Sequence, residues 1–153
     1  MISKLRNSVT PRPWRIRKRV LPQHTDHAGV VWHGTYVAWL EEGRVEALAS
    51  AGLAYGAMTE AGIEMPVVSL QIDYRRSLRH GDLVDLESVC GSQRGVRWPW
   101  CCRLLRGVDL VAEAHVDLVM LEIEAGQGRV LRRPPGSLED VMKRLLAGPA
   151  EHD

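Results

Sequence analysis

Ionisable side chains crowd into one short stretch of the chain, residues 23–44, which reads QHTDHAGVVWHGTYVAWLEEGR. The stretch begins with His24, Asp26, His27 and His33. An aspartate that faces a carbonyl carbon can attack it directly, or can take a proton from an attacking water. Imidazole and carboxylate are also common zinc ligands, but the spacing here fits no compact zinc motif. We therefore expect nucleophilic or general-base chemistry at Asp26 and no bound metal.

A helix that starts beside these residues would supply the other half of such a site. Over residues 35–51, apolar and small side chains recur every three or four positions, which predicts a helix. Its expected buried face holds Tyr36, Leu40, Gly43, Ala47 and Ala51, and its expected polar side holds Glu41, Glu42, Arg44 and Glu46. The first N–H groups of a helix lack partners and carry partial positive charge, so they can hold an oxyanion. A carboxylate next to a helix start is, in outline, the arrangement of a hydrolase.

The rest of the chain predicts an antiparallel sheet around that helix. Alternating apolar residues predict strands near 14–21, 68–75, 82–92, 97–107 and 110–123. The turns between the later strands are short, as in antiparallel neighbours. One long helix on such a sheet is an α+β domain in two layers. Because the strands near 82–92 and 110–123 carry apolar residues on both sides, we expect a further copy of the chain to cover the second face.

Length and composition narrow the class of protein. The chain has 153 residues, which suits one domain. We expect a lead-in at 1–12, the domain at 13–125, and a tail with a short helix at 126–153. Twenty Lys and Arg against nineteen Asp and Glu leave a net charge of +1, so no overall field favours nucleic acid or an anionic membrane. No apolar run approaches the ~20 residues of a membrane span, and we expect a cytoplasmic protein.

The order of these motifs resembles a known family. A strand that ends at HTD, then HAGVVWHGTYVAWLEEGR, and later IDYRRSLRHGD are similar to the 4-hydroxybenzoyl-CoA thioesterase family of hotdog-fold acyl-CoA thioesterases. The resemblance covers roughly residues 13–123. It implies a long central helix wrapped by a five-stranded antiparallel sheet, and dimers that commonly associate as homotetramers. It also implies hydrolysis of an acyl-CoA to free acid and CoA without a cofactor, since CoA is part of the substrate.

The resemblance also implies roles for individual residues. Asp26 falls in the second acidic slot of the family's D-x-D motif, the position of the nucleophile or general base. The backbone N–H of His33 falls in the oxyanion position. The first acidic slot holds His24, so a mechanism that needs two carboxylates is not expected here.

Basic residues are candidates for contacts with the phosphates of CoA. By the resemblance, Arg94 falls where a basic residue of the family meets those phosphates. Arg75 and Arg76, in the second block, begin a basic cluster whose guanidinium groups suit bidentate phosphate binding.

Several alternatives stay open at this point. Asp26 in T-D-H-A-G can serve only as a turn residue, because aspartate readily bonds nearby backbone. A hotdog hydratase or dehydratase, acting on an enoyl or hydroxyacyl substrate, would use the same fold. So would a non-catalytic acyl-CoA-binding protein. The resemblance admits short aliphatic acyl groups and aromatic ones such as hydroxybenzoyl or dihydroxynaphthoyl.

Overall fold

The long helix and the five strands predicted from the sequence are all present in the computed structural model, which describes residues 11–150. In chain order the elements are β1 (Trp14–Arg19), α1 (His33–Ser50), α2 (Tyr55–Glu60), β2 (Ile63–Glu64), β3 (Val67–Tyr74), β4 (Leu83–Cys90), β5 (Arg97–Arg106), β6 (Asp109–Val119), β7 (Leu121–Glu124), β8 (Gln127–Val130) and α3 (Glu139–Ala147). Short 3₁₀ turns at Pro22–His24 and Gly136–Leu138 precede α1 and α3. No helix in the described range is long and apolar enough to cross a membrane.

Five strands form one antiparallel sheet in the order β1-β4-β5-β6-β3. Burial alternates along its central strands, as β4 illustrates with Val84 and Leu86 each 1% exposed and Asp85 and Glu87 half-buried. The buried side chains of alternate positions make an inner face, and α1 packs on it. This is the hotdog arrangement, and it confirms the predicted α+β class.

The predicted apolar face of α1 is confirmed, and it approaches the sheet closely. Leu40 is 1% exposed and Ala47 is 2% exposed. A Cβ placed on Gly43 would lie 2.6 Å from Cδ2 of Leu86, so only glycine fits between this turn of the helix and β4. One expectation was wrong: Arg44, which we placed on the solvent side, is only 9% exposed.

The tail of the chain is packed into the domain. Strands β2, β7 and β8 form a second, three-stranded sheet that the sequence did not predict, and the expected strand at 110–123 is divided into β6 and β7. Residue 125, the predicted domain boundary, lies in the turn between β7 and β8. Beyond it, Arg144 donates a hydrogen bond from Nε to the carbonyl of Ala51 at 2.8 Å. Most of the predicted lead-in, residues 1–10, lies outside the described residues.

The outer face of the sheet is charged, so our expectation of a second apolar face was wrong. Oppositely charged side chains pair across neighbouring strands there, in the ion pairs Arg15–Glu87, Arg17–Asp85 and Arg97–Asp117. Exposed apolar residues are instead concentrated on the edge strand β3. They are Val67, Val68, Leu70 and Tyr74, which are 42–50% exposed.

The close contact at Gly43 gives a first prediction. Gly43→Leu should lower the free energy of unfolding by about 1–3 kcal/mol, because the new side chain overpacks the contact with Leu86. Ala49→Leu, on the exposed side of the same helix, should change it by less than about 0.5 kcal/mol. Urea unfolding followed by circular dichroism measures both. Equal stability of the two variants would contradict the packing described here.

Candidate active site

The loop before α1 is folded into a tight turn around Asp26. The backbone N–H of Asp26 donates to the carbonyl of Val30 at 2.8 Å, and Gly29 sits at a φ of 77°, which glycine adopts without strain. The N–H of Val31 then donates to the carbonyl of Leu78 at 2.9 Å, which joins the turn to the segment after β3. These bonds fix Asp26 close to the start of α1.

The Asp26 carboxylate itself helps to hold the turn. Its Oδ1 accepts hydrogen bonds from the N–H of Ala28 at 2.9 Å and of Val30 at 3.2 Å. Its Oδ2 accepts no hydrogen bond from residues 11–150. The structural role that we left open for Asp26 is therefore real, and it occupies only one of the two oxygens.

The start of α1 presents backbone donors next to this turn. The helix begins after Trp32, which provides no side-chain cap, and the N–H groups of His33 and Gly34 donate to no acceptor in the described part of the chain. The turn that precedes them is fixed through the carbonyl of His24. It accepts from the N–H of Trp32 at 3.0 Å and from Oγ1 of Thr35 at 3.0 Å. Two oriented N–H groups at the positive end of a helix form a site for a developing negative charge.

His24 is held as a structural residue in this arrangement. Its Nδ1 accepts a hydrogen bond from the N–H of Leu21 at 2.9 Å, and its ring lies edge-on to Trp39 with centroids 5.2 Å apart. With Nδ1 used as an acceptor, His24 supports the loop.

One open cleft of about 370 Å³ lies between Asp26 and the start of α1. Its lining includes the predicted residues Asp26, His33, Arg75 and Arg76, together with Trp32, Tyr36 and Tyr74. The hydroxyl of Tyr74 is 3.4 Å from the carbonyl oxygen of His33, and it packs on Tyr36 with ring centroids 5.0 Å apart. Burial, with a smaller contribution from Tyr74, raises the pKa of Tyr36 to about 12, so its phenol is neutral at physiological pH. The cleft thus combines a carboxylate, the free amide donor of His33, two arginines and aromatic walls.

The aromatic walls were not among our predicted site residues, although the sequence contained a signal for them. Tyr36 belongs to the apolar stripe of α1, and Tyr74 ends the alternating strand β3 immediately before Arg75. Only the fold shows that the end of β3 meets the start of α1.

Arg94 lies apart from this cleft within one chain. It sits in the hairpin between β4 and β5, bridged to Arg97, at the end of β4 opposite the Asp26 loop. The eight residues of β4 span roughly 26 Å, so the structure does not bring Arg94 together with Asp26 in a single copy.

The three cysteines lie outside the cleft. Burial raises the pKa of Cys90 to about 12 and also raises that of Cys102, so neither is a reactive thiolate at neutral pH. Cys101 points to the outer face of the sheet, where its sulfur lies within 4.8 Å of possible ligand atoms of Glu113 and His115. This group is on the opposite side of the sheet from α1 and shares no residue with the cleft.

Comparisons with known proteins agree with this geometry. Residues 28–113 match the model of the family described as the thioesterase superfamily. The protein sll0410 of Synechocystis sp., which carries the provisional name of an esterase, is 34% identical over 140 residues, covering 90% of this chain and 83% of that protein. The acyl-CoA thioester hydrolase YbgC of Escherichia coli is 28% identical over 105 residues, 68% of this chain and 78% of that one. A crystal structure of a 4-hydroxybenzoyl CoA thioesterase variant, complexed with 4-hydroxybenzoyl CoA, has the same fold: its TM-score is 0.76 at 20% identity, over 86% of this chain and 97% of that chain.

Proposed function

The chain belongs to the thioesterase superfamily, and we propose that it hydrolyses an acyl-CoA thioester to the free acid and CoA at the cleft between Asp26 and the start of α1. The observation that carries the proposal is the pairing, in one cleft, of an Asp26 oxygen without a hydrogen-bond partner and the backbone N–H of His33, which also has no partner among residues 11–150. Acyl transfer needs these two components: a group that attacks or activates water, and donors that stabilise the oxyanion.

The reaction follows from that pairing. The thioester carbonyl oxygen accepts a hydrogen bond from the N–H of His33, which makes the carbon more electrophilic. Asp26 then attacks this carbon, CoA leaves as the thiolate, and water hydrolyses the mixed anhydride; alternatively, Asp26 removes a proton from the water that attacks the thioester. Either course uses the same donor. His24, whose Nδ1 already accepts a hydrogen bond, supports the loop and takes no proton in this scheme.

Aromatic and basic residues of the cleft support the choice of substrate. The rings of Trp32, Tyr36 and Tyr74 offer apolar surface to a short aliphatic or aromatic acyl group, such as hydroxybenzoyl. Arg75 and Arg76 are exposed at the same cleft, where they can pair with the phosphates of CoA.

An oligomer that pairs through β3 would complete this site. The apolar residues exposed on β3 are better covered than hydrated, and an edge strand offers free backbone groups for pairing. Two-fold antiparallel pairing of β3 with a second β3 sets the Tyr74 end of one copy beside the Val67 end of the other. The Val67 end of β3 lies at the same end of the sheet as the β4–β5 hairpin. The hairpin of the second copy, and with it Arg94 of the partner subunit, therefore approaches the cleft of the first copy. We propose this homodimer as the unit of a dimer of dimers in the cytoplasm.

The role of Asp26 is tested by Asp26→Asn. Asparagine keeps an oxygen acceptor for the two turn hydrogen bonds but has neither a nucleophilic nor a basic oxygen. Single-turnover hydrolysis of the best substrate in an acyl-CoA panel should slow by roughly 10²–10⁴-fold or more, with the circular dichroism spectrum unchanged. The matched control is Asp26→Ala, which should lose the turn bonds as well and unfold at a lower temperature. A folded Asp26→Asn protein with more than about a tenth of the wild-type rate would remove Asp26 from the reaction.

The basic residues are tested by their effect on KM. Arg75→Gln, Arg76→Gln and Arg94→Gln should raise KM for an acyl-CoA much more than they lower kcat, because the phosphates are remote from the reacting bond. Steady-state kinetics measures KM for an acyl-CoA and for the matching acyl-pantetheine, which lacks the nucleotide. The comparison separates an effect on phosphate binding from an effect on binding of the acyl group. If KM for the acyl-CoA is unchanged in all three variants, CoA follows a different path.

The β3 interface is tested by Leu70→Lys. A lysine at this position, 42% exposed in the single chain, would bring like charges together at the proposed interface, so the oligomer should dissociate. Leu83→Lys is the matched control, since Leu83 is 41% exposed but begins β4. Light scattering at micromolar concentration measures both. A monomeric wild type, or a Leu70→Lys variant that stays assembled, would contradict pairing through β3.

A further inference from the structure

Three side chains of different chemistry meet on the outer face of the sheet, away from the catalytic cleft. Cys101 on β5 and His115 on β6 are directly opposite each other in the ladder, and Glu113 lies two residues from His115 on the same face. The sulfur, a carboxylate oxygen and a ring nitrogen of these three residues all lie within 4.8 Å of one another. Among residues 11–150, no other group of three histidine, cysteine or acidic side chains is gathered in this way.

No hydrogen bond occupies the three side chains within the described part of the chain. The Glu113 carboxylate is 3.8 Å from Nε2 of His115 and 3.8 Å from a guanidinium nitrogen of Arg75, and both distances are longer than a hydrogen bond. On the same face, by contrast, Nη1 of Arg97 lies 3.2 Å from Asp117 and donates a hydrogen bond to it. The sulfur, oxygen and nitrogen atoms of the group are therefore available to a ligand that needs all three.

We propose that Cys101, Glu113 and His115 form a zinc-binding site on the outer face of the sheet. Thiolate sulfur, imidazole nitrogen and carboxylate oxygen are the ligands that zinc takes in proteins, and three of them leave a fourth tetrahedral position to water. When the ion binds, the Cys101 thiol releases its proton to solvent and the sulfur coordinates as thiolate. The site shares no residue with the Asp26 cleft, so it goes beyond thioester hydrolysis.

The two strands hold the ligand atoms near the spacing that zinc requires. With bonds of about 2.0–2.3 Å, ligand atoms around a tetrahedral zinc lie roughly 3.5 Å apart, so small side-chain rotations suffice. Cys101 and Glu113 are half-buried and His115 is exposed, which leaves room for those rotations. β5 and β6 each pair with a strand on both sides, so the backbone beneath the ligands is fixed.

Two arginines compete with a metal ion for the Glu113 carboxylate. Arg103 is opposite Glu113 in the ladder, and Arg75 approaches it from the end of β3. Both arginines are exposed, so water and salt screen their attraction for the carboxylate. Zinc instead bonds directly to three groups at once, and its dependence on Cys101 distinguishes it from a guanidinium partner.

Equilibrium dialysis against zinc chloride, with metal measured by atomic absorption, tests the site without any turnover. The wild type should hold about one ion per chain. Cys101→Ser, Glu113→Gln and His115→Gln should each bind at least about tenfold more weakly, since loss of even an outer-shell partner costs that much. His80→Gln, which removes an exposed histidine outside the group, is the matched control and should bind as the wild type does. Equal zinc affinity of the wild type, Cys101→Ser and His115→Gln would overturn the proposal.

Cobalt reports on the sulfur ligand directly. Co²⁺ takes the same ligand types as zinc, and a thiolate bound to it gives a charge-transfer absorption band. The band should appear in the wild type and in His80→Gln and be missing from Cys101→Ser. A cobalt-loaded wild type without the band would show that the sulfur is not a ligand.

Thiol alkylation gives an independent reading. Cys90 is 2% exposed and Cys102 is 0% exposed, so Cys101 is the cysteine that iodoacetamide should reach in the folded protein. Zinc should slow this alkylation at least about tenfold, and EDTA should restore it. An alkylation rate that zinc leaves unchanged would contradict coordination by Cys101.

Asp26→Asn separates this site from the catalytic one. The variant should bind zinc as tightly as the wild type, and Cys101→Ser should hydrolyse an acyl-CoA at the wild-type rate. Zinc binding that is lost in Asp26→Asn and kept in Cys101→Ser would place the metal at the cleft and overturn the site on the sheet. A folded Asp26→Asn protein that hydrolyses acyl-CoA normally and still binds zinc through Cys101 would overturn the proposed catalytic mechanism alone.

Discussion

The close packing of α1 on the inner face of the sheet is the constraint on which the geometry of the cleft depends. At Gly43 the helix approaches β4 so closely that a methyl group would overlap Leu86, and Leu40 and Ala47 fill the adjoining turns. This contact fixes the rotation and the height of the helix. Its first turn is then set against the end of β3, where Tyr74 meets the carbonyl of His33. Its later turns separate the sheet from α2 and leave an apolar cavity between them. Because packed interiors do not deform smoothly, a shift of the helix at Gly43 would also move the backbone donors of its first turn.

The loop before α1 shows how one side chain meets two demands. A turn that carries its own hydrogen bonds to Oδ1 of Asp26 has a defined shape without help from a substrate. The remaining oxygen is then presented in a fixed direction, which lowers the entropy cost of bringing it to a reacting carbon. His24 also has two roles. Its carbonyl accepts hydrogen bonds from Trp32 and Thr35, and its ring nitrogen accepts one from Leu21. Rigidity of the loop thus comes from local polar bonds, since few of its side chains are buried.

Periodicity in the sequence predicted the main elements, because burial on one side of a helix or strand repeats with the backbone. The stripe from Tyr36 to Ala51 and the alternation in β4 are direct records of it. The residues of β3 alternate in type, but nearly all of them are exposed in the single chain. The burial of Arg44 was not predicted because an arginine beside glutamates usually lies in water. Its burial comes from α2 and β2, which cover this side of the helix. Strands of two and four residues, such as β2 and β8, are too short to show a period. The distance of Arg94 from Asp26 depends on which end of the sheet the β4–β5 hairpin occupies. The composition of the chain does not predict that end.

The bond between the two ends of the domain bears on how the chain is made. Trp14 donates from its indole Nε1 to the carbonyl of Leu145 at 2.9 Å, across 131 residues of sequence. β1 also pairs with β4, some seventy residues later, so β1 has no strand neighbour until β4 has been synthesised. Val141, Met142 and Leu145 of α3 are core residues, and they are synthesised after the strands β1 to β8. Long-range contacts of this kind slow folding and leave apolar surface open meanwhile. The domain therefore closes only after α3 has been synthesised, and until then the apolar surface that α3 covers stays open.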